Sequence, residues 1–390
     1  MILIKNVNVY DPAPRGCRDI LIGGCEILAI EKSIDPGVLP GKIEVLNANG
    51  LSAVPGFIDG HQHFTGGGGE GGFHTRTPEM SLSDNTAAGV TTAVGLLGTD
   101  SLTRSVKNLY AKTKALNNEG MTTFMLTGSY WLPSPTITGN VARDVVYIDA
   151  VIGVKLAMSD HRGPHYGAKE LAVLASDVRV AALISGKPGI ITVHTGINSS
   201  GLDLIFEVVN HHFIRPGIFV PTHINKRDAA FQKQVFELAK IGAFIDATGM
   251  IEPEIENEKY FSCAEFAVSA DKENLLDRVC FSSDAGGSMP KWSEDKSHIV
   301  GMDVAKPDSL LAELKHLVKN LGMPLEKALT PLTVNPAKAY GLSGRKGEIS
   351  VDADADILLI DPETFTIRDV LAKGKIMMRD TLIERKGYFE

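Results

Sequence analysis

The chain has 390 residues, 44% hydrophobic and 22% charged, so it carries ample apolar surface for a folded core and is not a disordered segment. Its 39 basic and 47 acidic residues leave a net charge of −8, which gives no long-range attraction to nucleic acid or to an anionic membrane. No apolar stretch approaches the roughly 18 residues of a membrane span, and glycine, 39 residues, is in excess without a collagen period.

From the N-terminus, residues 1–54 are short strand-like runs between Gly, Pro and Asn: MILIKNVNVY, DILIGG, EILAIEKSI, GKIEVLNANG. Lys5 and Asp11 interrupt the first run and no small-residue cleavage site follows, so it reads as a strand and not as a signal peptide. The four cysteines, Cys17, Cys25, Cys263 and Cys280, form no CxxC pair. They predict buried, reduced thiols in a cytoplasmic protein.

From about residue 55 the pattern changes. Eight apolar runs, VPGFIDGHQHF, TTAVGLLGT, TTFMLTGSY, IGVKLAMSD, GIITVHTG, IFVPTHIN, GAFIDATG and RVCFSSDAGG, alternate with helix-periodic stretches. Thr77-Pro78-Glu79 predicts the start of the first helix and Gly89 its end; Leu102, Val106, Leu109, Thr113 and Leu116 form one face of the second. AAFQKQVFELAKIG and SLLAELKHLVKNLG repeat the theme. This alternation predicts an α/β fold, a (β/α)₈ TIM-like barrel over 55–340. A doubly wound sheet is the alternative, but no GxGxxG turn leading from a strand into a helix supports it. The C-terminus returns to the style of the start, with GEISVDADADILLID and TIRDVLAKGKIMMRD. Neither end has enough strands for a core, so residues 1–54 and 341–390 are expected to pair into one small β-sandwich domain.

The polar residues cluster where the runs end, which in such barrels is the face that carries chemistry. His61 and His63 stand at i and i+2 of the first run and so share one face. His194, His223 and Asp284 close the fifth, sixth and eighth runs. Neutral imidazoles and a carboxylate on converging strand ends point to a metal site. Lys155 lies inside the fourth run, where an ammonium is costly. Either it pairs with an acid such as Asp284, or its neutral amine adds carbon dioxide. The resulting carbamate would bridge two divalent ions.

PGFIDGHQH, the strand-four lysine, two single strand-end histidines and the final SSD together resemble the binuclear amidohydrolase superfamily. HFTGGGGEGGFHTRTPE, VGLLGTDS, LTGSYWLPS, TITG, GVKLAMSDHR and SSDAGGS resemble, more narrowly, its isoaspartyl dipeptidases. The resemblance implies two divalent metal ions, zinc foremost: His61, His63 and Asp284 on one, His194 and His223 on the other, and carboxylated Lys155 between. It implies hydrolysis of β-aspartyl dipeptides, a bridging hydroxide attacking the isopeptide carbonyl. Asp284 would accept the proton and return it to the leaving amine. Tyr130 would stabilise the oxyanion. Implied substrate contacts are Gly68, Gly69, Glu70, Thr99, Tyr130, Arg162 and Ser288. The family arginine after the sixth-strand histidine is replaced by Lys226, with Arg227 next to it, and a lysine lacks the bidentate grip. A homo-oligomer acting on a small dipeptide, with no nucleic acid or membrane partner, is the implied setting. A cyclic-amide hydrolase of the dihydroorotase or hydantoinase kind shares the metal ligands and is the alternative; it has no need of Glu70 for a free ammonium.

Overall fold

The computed structural model describes residues 1–225, 228–249, 254–255, 258–259, 261–293 and 299–390. The eight apolar runs form one eight-stranded sheet. Its strands are β1 Phe57–Gln62, β2 Val90–Gly95, β3 Thr122–Gly128, β4 Val151–Met158, β5 Ile190–Thr195, β6 Phe219–Thr222, β7 Ile245–Thr248 and β8 Val279–Ser282. Each pairs in parallel with the next. Gln62 bridges Ala285 in parallel, and the His63 amide donates to the Ala285 carbonyl at 2.7 Å, so the sheet closes on itself between its last and first strands. A parallel sheet is covered on both faces, which is why these strands read as continuous apolar runs.

A helix follows each strand: α1 Leu82–Ala87, α2 Val106–Glu119, α3 Val141–Tyr147, α4 Ala168–Ser185, α5 Asp203–His211, α6 Ala229–Lys240, α7 Cys263–Lys272 and α8 Ser309–Lys315. Their starts are chemically marked. The side chains of Ser81, Ser105, Asn140, Asp228 and Ser262 each accept a hydrogen bond from a first-turn amide. The expected start of the first helix at Thr77 is corrected: Ser81 is the cap, and the buried Thr77 hydroxyl instead donates to the Gly286 carbonyl and accepts from the Gly67 amide. Leu102 also falls outside its helix, 91% exposed, because α2 starts only after the Ser105 cap.

The two chain ends meet in a second, nine-stranded sheet. The C-terminal strand Ile357–Ile360 lies antiparallel to Ser52–Pro55 of the N-terminal segment, with Leu358 opposite Val54. Side chains alternate across a strand. Ile357 and Leu359 therefore join a core with Ile4, Ile20, Ile22 and Ile27, while Leu358 and Ile360 pack into the barrel's own apolar cluster. All four cysteines are free. Cys263 and Cys280 are buried as expected, but Cys17 and Cys25 are exposed, since Cys17 lies on the outer sheet and Cys25 in a turn between two of its strands. Among the described residues no helix is long and apolar enough to cross a membrane. An antiparallel hairpin, Ser288–Trp292 with Ile299–Val304, follows β8 and has no counterpart among the sequence expectations.

Candidate active site

β1 carries His61 near its end and delivers His63 just beyond it, both buried. Asp284 follows β8 and places Oδ1 at 3.2 Å from His61 Nε2 and 3.0 Å from His63 Nε2. One ligand atom from each of the three lies within 4.8 Å of the others. Lys155, on β4, is wholly buried with Nζ 3.3 Å from His61 Nε2. His194 closes β5, and His223 follows β6. Their rings are 4.7 Å apart, and that of His223 is 5.0 Å from that of His61. The barrel thus gathers all six residues at one end. His223 and Asp284 both have positive φ, 64° and 56°, a left-handed backbone that costs energy for a side-chain-bearing residue and marks functional sites when it recurs.

This donor set fits divalent cations. Imidazole and carboxylate suit zinc and its neighbours. Burial, then the charge of Lys155, holds the His61 imidazole well below its ordinary value, in the neutral form that can ligate.

A second layer orients the first. Asp160, just past β4, accepts from His194 Nε2 at 2.8 Å, which leaves Nδ1 with its lone pair; the Tyr130 hydroxyl donates to it at 2.7 Å. Burial alone would raise the Asp160 carboxyl, but hydrogen bonds from His194 and then Arg162 outweigh it and hold it well below the usual carboxylate range. Burial also pushes the Tyr130 phenol far above its ordinary value, with Thr99 hydrogen-bonded to it, so it remains a donor. Arg162 grips Asp160 through Nε at 3.0 Å and Nη2 at 2.8 Å and turns Nη1 towards exposed Glu70 at 3.4 Å.

The glycine loop lies beside this group. Gly68 has φ 67°, and a methyl there would stand 2.5 Å from the Thr75 carbonyl and 3.3 Å from Ser288 Cβ, so only glycine fits and Ser288 is its neighbour. Gly69 follows in the same left-handed region, φ 97°. Buried Arg104 holds the loop from behind, donating to the carbonyls of Thr65, Gly67 and Thr77.

The expected residues Gly68, Gly69, Glu70, Thr99, Tyr130, Arg162 and Ser288 therefore lie around the histidines, while Lys226 and Arg227 lie outside the described residues. Sequence reasoning missed Asp160, Arg104 and the hydroxyls of Thr222 and Thr248, which meet His61 Nδ1 at 3.1 Å and His223 Nδ1 at 2.8 Å. Asp160 had a signal, as the acid of the SDHR motif. Thr248 had a weaker one, as the polar end of the seventh run.

Residues 265–377 match the profile of the amidohydrolase family. Over 98% of both chains the structure is similar to a β-aspartyl dipeptidase from Fervidobacterium islandicum AW-1, with 39% identity and a TM-score of 0.89; that enzyme was solved in complex with β-Asp-Leu. A D-hydantoinase (dihydropyrimidinase) from Thermus sp. shares the fold, at 16% identity and a TM-score of 0.70 over 100% of this chain and 98% of that one. A dihydroorotase of Elusimicrobium minutum (strain Pei191) is 25% identical over 92% of this chain and 88% of its own length.

Proposed function

Because the chain belongs to the β-aspartyl dipeptidase family, within the amidohydrolase superfamily, we propose that it is a metal-dependent dipeptidase that hydrolyses the amide between an aspartyl β-carboxyl and the next residue. The observation that carries the reading is a buried His61, His63 and Asp284 cluster beside the Glu70 carboxylate and the Arg162 guanidinium, which face each other at 3.4 Å and match the charged ends of a dipeptide. A cyclic amide has no ammonium for Glu70 to meet.

The residues would divide the work as follows. His61, His63, Asp284, His194, His223 and carboxylated Lys155 would hold two divalent ions, zinc foremost, which when bound supply a Lewis acid and an acidified water. Tyr130, kept protonated by its burial, would release His194 Nδ1 and donate its one hydrogen bond to the oxygen that gains charge. Asp284 takes the proton of the attacking water and hands it to the leaving amine. Glu70 receives the substrate ammonium, and the bare backbone of Gly68 and Gly69 lets the substrate approach closely because no side chain intervenes. Arg162 receives a carboxylate, prealigned by Asp160. Thr99 and Ser288 line the same space. Lys226 or Arg227, at the place of the family arginine, would supply a further cation for the substrate.

We place the protein in the cytoplasm as a homo-oligomer with the barrel at 55–340 and the sandwich at 1–54 plus 341–390. The exposed, unpaired thiols of Cys17 and Cys25 fit a reducing compartment. The outward apolar stripe of α4, Val173, Val180, Leu183 and Ile184, fits a subunit contact.

The test is a substrate panel on the purified, metal-loaded protein: β-aspartyl-leucine, α-aspartyl-leucine, dihydroorotate and hydantoin. Turnover of the β-aspartyl peptide is expected. Turnover of a cyclic amide in its place would establish the alternative, which the likeness to dihydroorotases favours.

A further inference from the structure

Behind the His61 ring runs a chain of hydrogen bonds that none of these roles uses. Asp246, on β7, is buried, and its Oδ2 accepts two hydroxyls: Thr222 from the end of β6 at 2.6 Å and Ser282 from the end of β8 at 2.6 Å. The same Thr222 oxygen lies 3.1 Å from His61 Nδ1.

A hydroxyl has one proton and two lone pairs. With its proton committed to Asp246, Thr222 offers the ring only a lone pair. His61 Nδ1 therefore carries the hydrogen and donates it, and Nε2 keeps its own lone pair. Nε2 is the atom that faces Asp284 at 3.2 Å and Lys155 at 3.3 Å. Metal-binding histidines as a rule have the second nitrogen fixed by an outer oxygen. Here His194 has Asp160 and His223 has the Thr248 hydroxyl, whereas His63 Nδ1 has no such partner among the described residues.

We propose that Asp246 and Thr222 are a positioning pair that locks His61 in its Nδ1–H tautomer and so presents Nε2 to a cation. The proposal rests on the metal-dependent reading above and adds two residues to it, neither of which touches substrate. Two hydroxyls converge on Oδ2, while Oδ1 is buried with no hydrogen-bond partner among the described residues. Burial pushes the Asp246 carboxyl up to about 7, opposed by Ser282 and then Thr222, so the test is run above that value.

The experiment measures, at a pH near 8, the concentration of a competing chelator that removes half the metal from the purified holoenzyme. Thr222→Val keeps the shape and deletes the hydroxyl; Thr222→Ser keeps the hydroxyl. Thr222→Val should release its metal at a chelator concentration roughly 10- to 100-fold lower, and Thr222→Ser should restore retention to within about twofold of the parent. Rescue by serine separates the relay from packing, because serine leaves the larger void. Equal retention by Thr222→Val overturns the proposal, as does a serine variant as weak as the valine one. Should Thr222→Val fail to fold, Asp246→Asn, which replaces the charged acceptor, decides: retention equal to the parent's overturns the relay and a loss of about tenfold supports it. A parent protein that holds no metal overturns both the relay and the proposed function. A parent that holds metal and cleaves β-aspartyl-leucine, with variants unaffected, overturns the relay alone.

Discussion

Replacing Lys155 by methionine should lower both metal binding and metal-free stability. Lys155 is wholly buried, on a strand whose every residue is buried, with its amine 3.3 Å from the neutral His61 ring. Methionine has nearly the same length, so packing should change by less than about 1.5 kcal/mol. Lys155 shares this site with the buried carboxylates of Asp284 and Asp246, and removing one charge from such a group while the others stay is destabilising, by about 3–5 kcal/mol. The sum is a metal-free Lys155→Met protein about 2–5 kcal/mol less stable than the metal-free parent. At roughly 2–4 °C per kcal/mol for a chain of 150–250 residues, and less for a longer one, that is a fall of several degrees. Metal binding falls as well, because the variant has no amine to carboxylate and should purify with little metal and no peptidase activity. The assays are calorimetric Tm after chelation, metal content by mass spectrometry, and turnover of β-aspartyl-leucine. A variant with full metal and activity refutes the bridging role. A metal-free variant that melts at or above its parent refutes the argument that the lysine balances the buried acids around it.

Three further outcomes are expected. Glu70→Gln removes the charge that meets the substrate ammonium; KM for β-aspartyl-leucine should rise about tenfold, the low end for a charge-assisted hydrogen bond at an exposed residue, with kcat and metal content nearly unchanged, and an unaltered KM refutes that role. Acid unfolding should depend on Asp354. Burial would raise its carboxyl, but the hydrogen bond and charge of Lys346, then those of Arg345, leave it below the ordinary value. Its folded value is thus lower than its unfolded one, so its stabilising contribution is complete above roughly pH 4–5 and is lost as pH falls through the folded value. In urea titrations the gap between parent and Asp354→Asn should shrink below about pH 4, and a gap that widens there refutes the sign. Gly153→Ala puts a methyl 2.1 Å from the Ile190 carbonyl oxygen, between β4 and β5, where only backbone could yield. A loss of about 3 kcal/mol or more is expected, read as insoluble expression or a lowered Tm; a normal melting curve refutes it.

The eight barrel strands were legible because burial on both faces is written locally, as apolar runs between helix caps and glycines. His61, His63, Lys155, His194, His223 and Asp284 stood out because a polar residue at the end of such a run has no cheaper place in the fold. The helix starts were less legible where a residue had two uses. Thr77 looks like a cap by sequence, yet it holds Gly67 and Gly286 together, a contact across 209 residues for the latter. Leu102 continued a helical period that Ser105 interrupts.

Apart from Asp160 in its SDHR motif and Thr248 at the end of the seventh run, the second layer could not be read from neighbours in the chain. Thr222 reaches His61 across 161 residues and Asp246 across 24, and Asp160 reaches His194 across 34. Each is a short polar residue that local pattern treats as ordinary, and its role depends on which proton it gives and to whom. By itself the sequence determined the barrel and the chemistry of its mouth, since burial and residue type are local quantities. Only the tertiary structure decided which nitrogen of each histidine faces the site, because hydrogen-bond direction is set by groups that the closed barrel alone brings within reach.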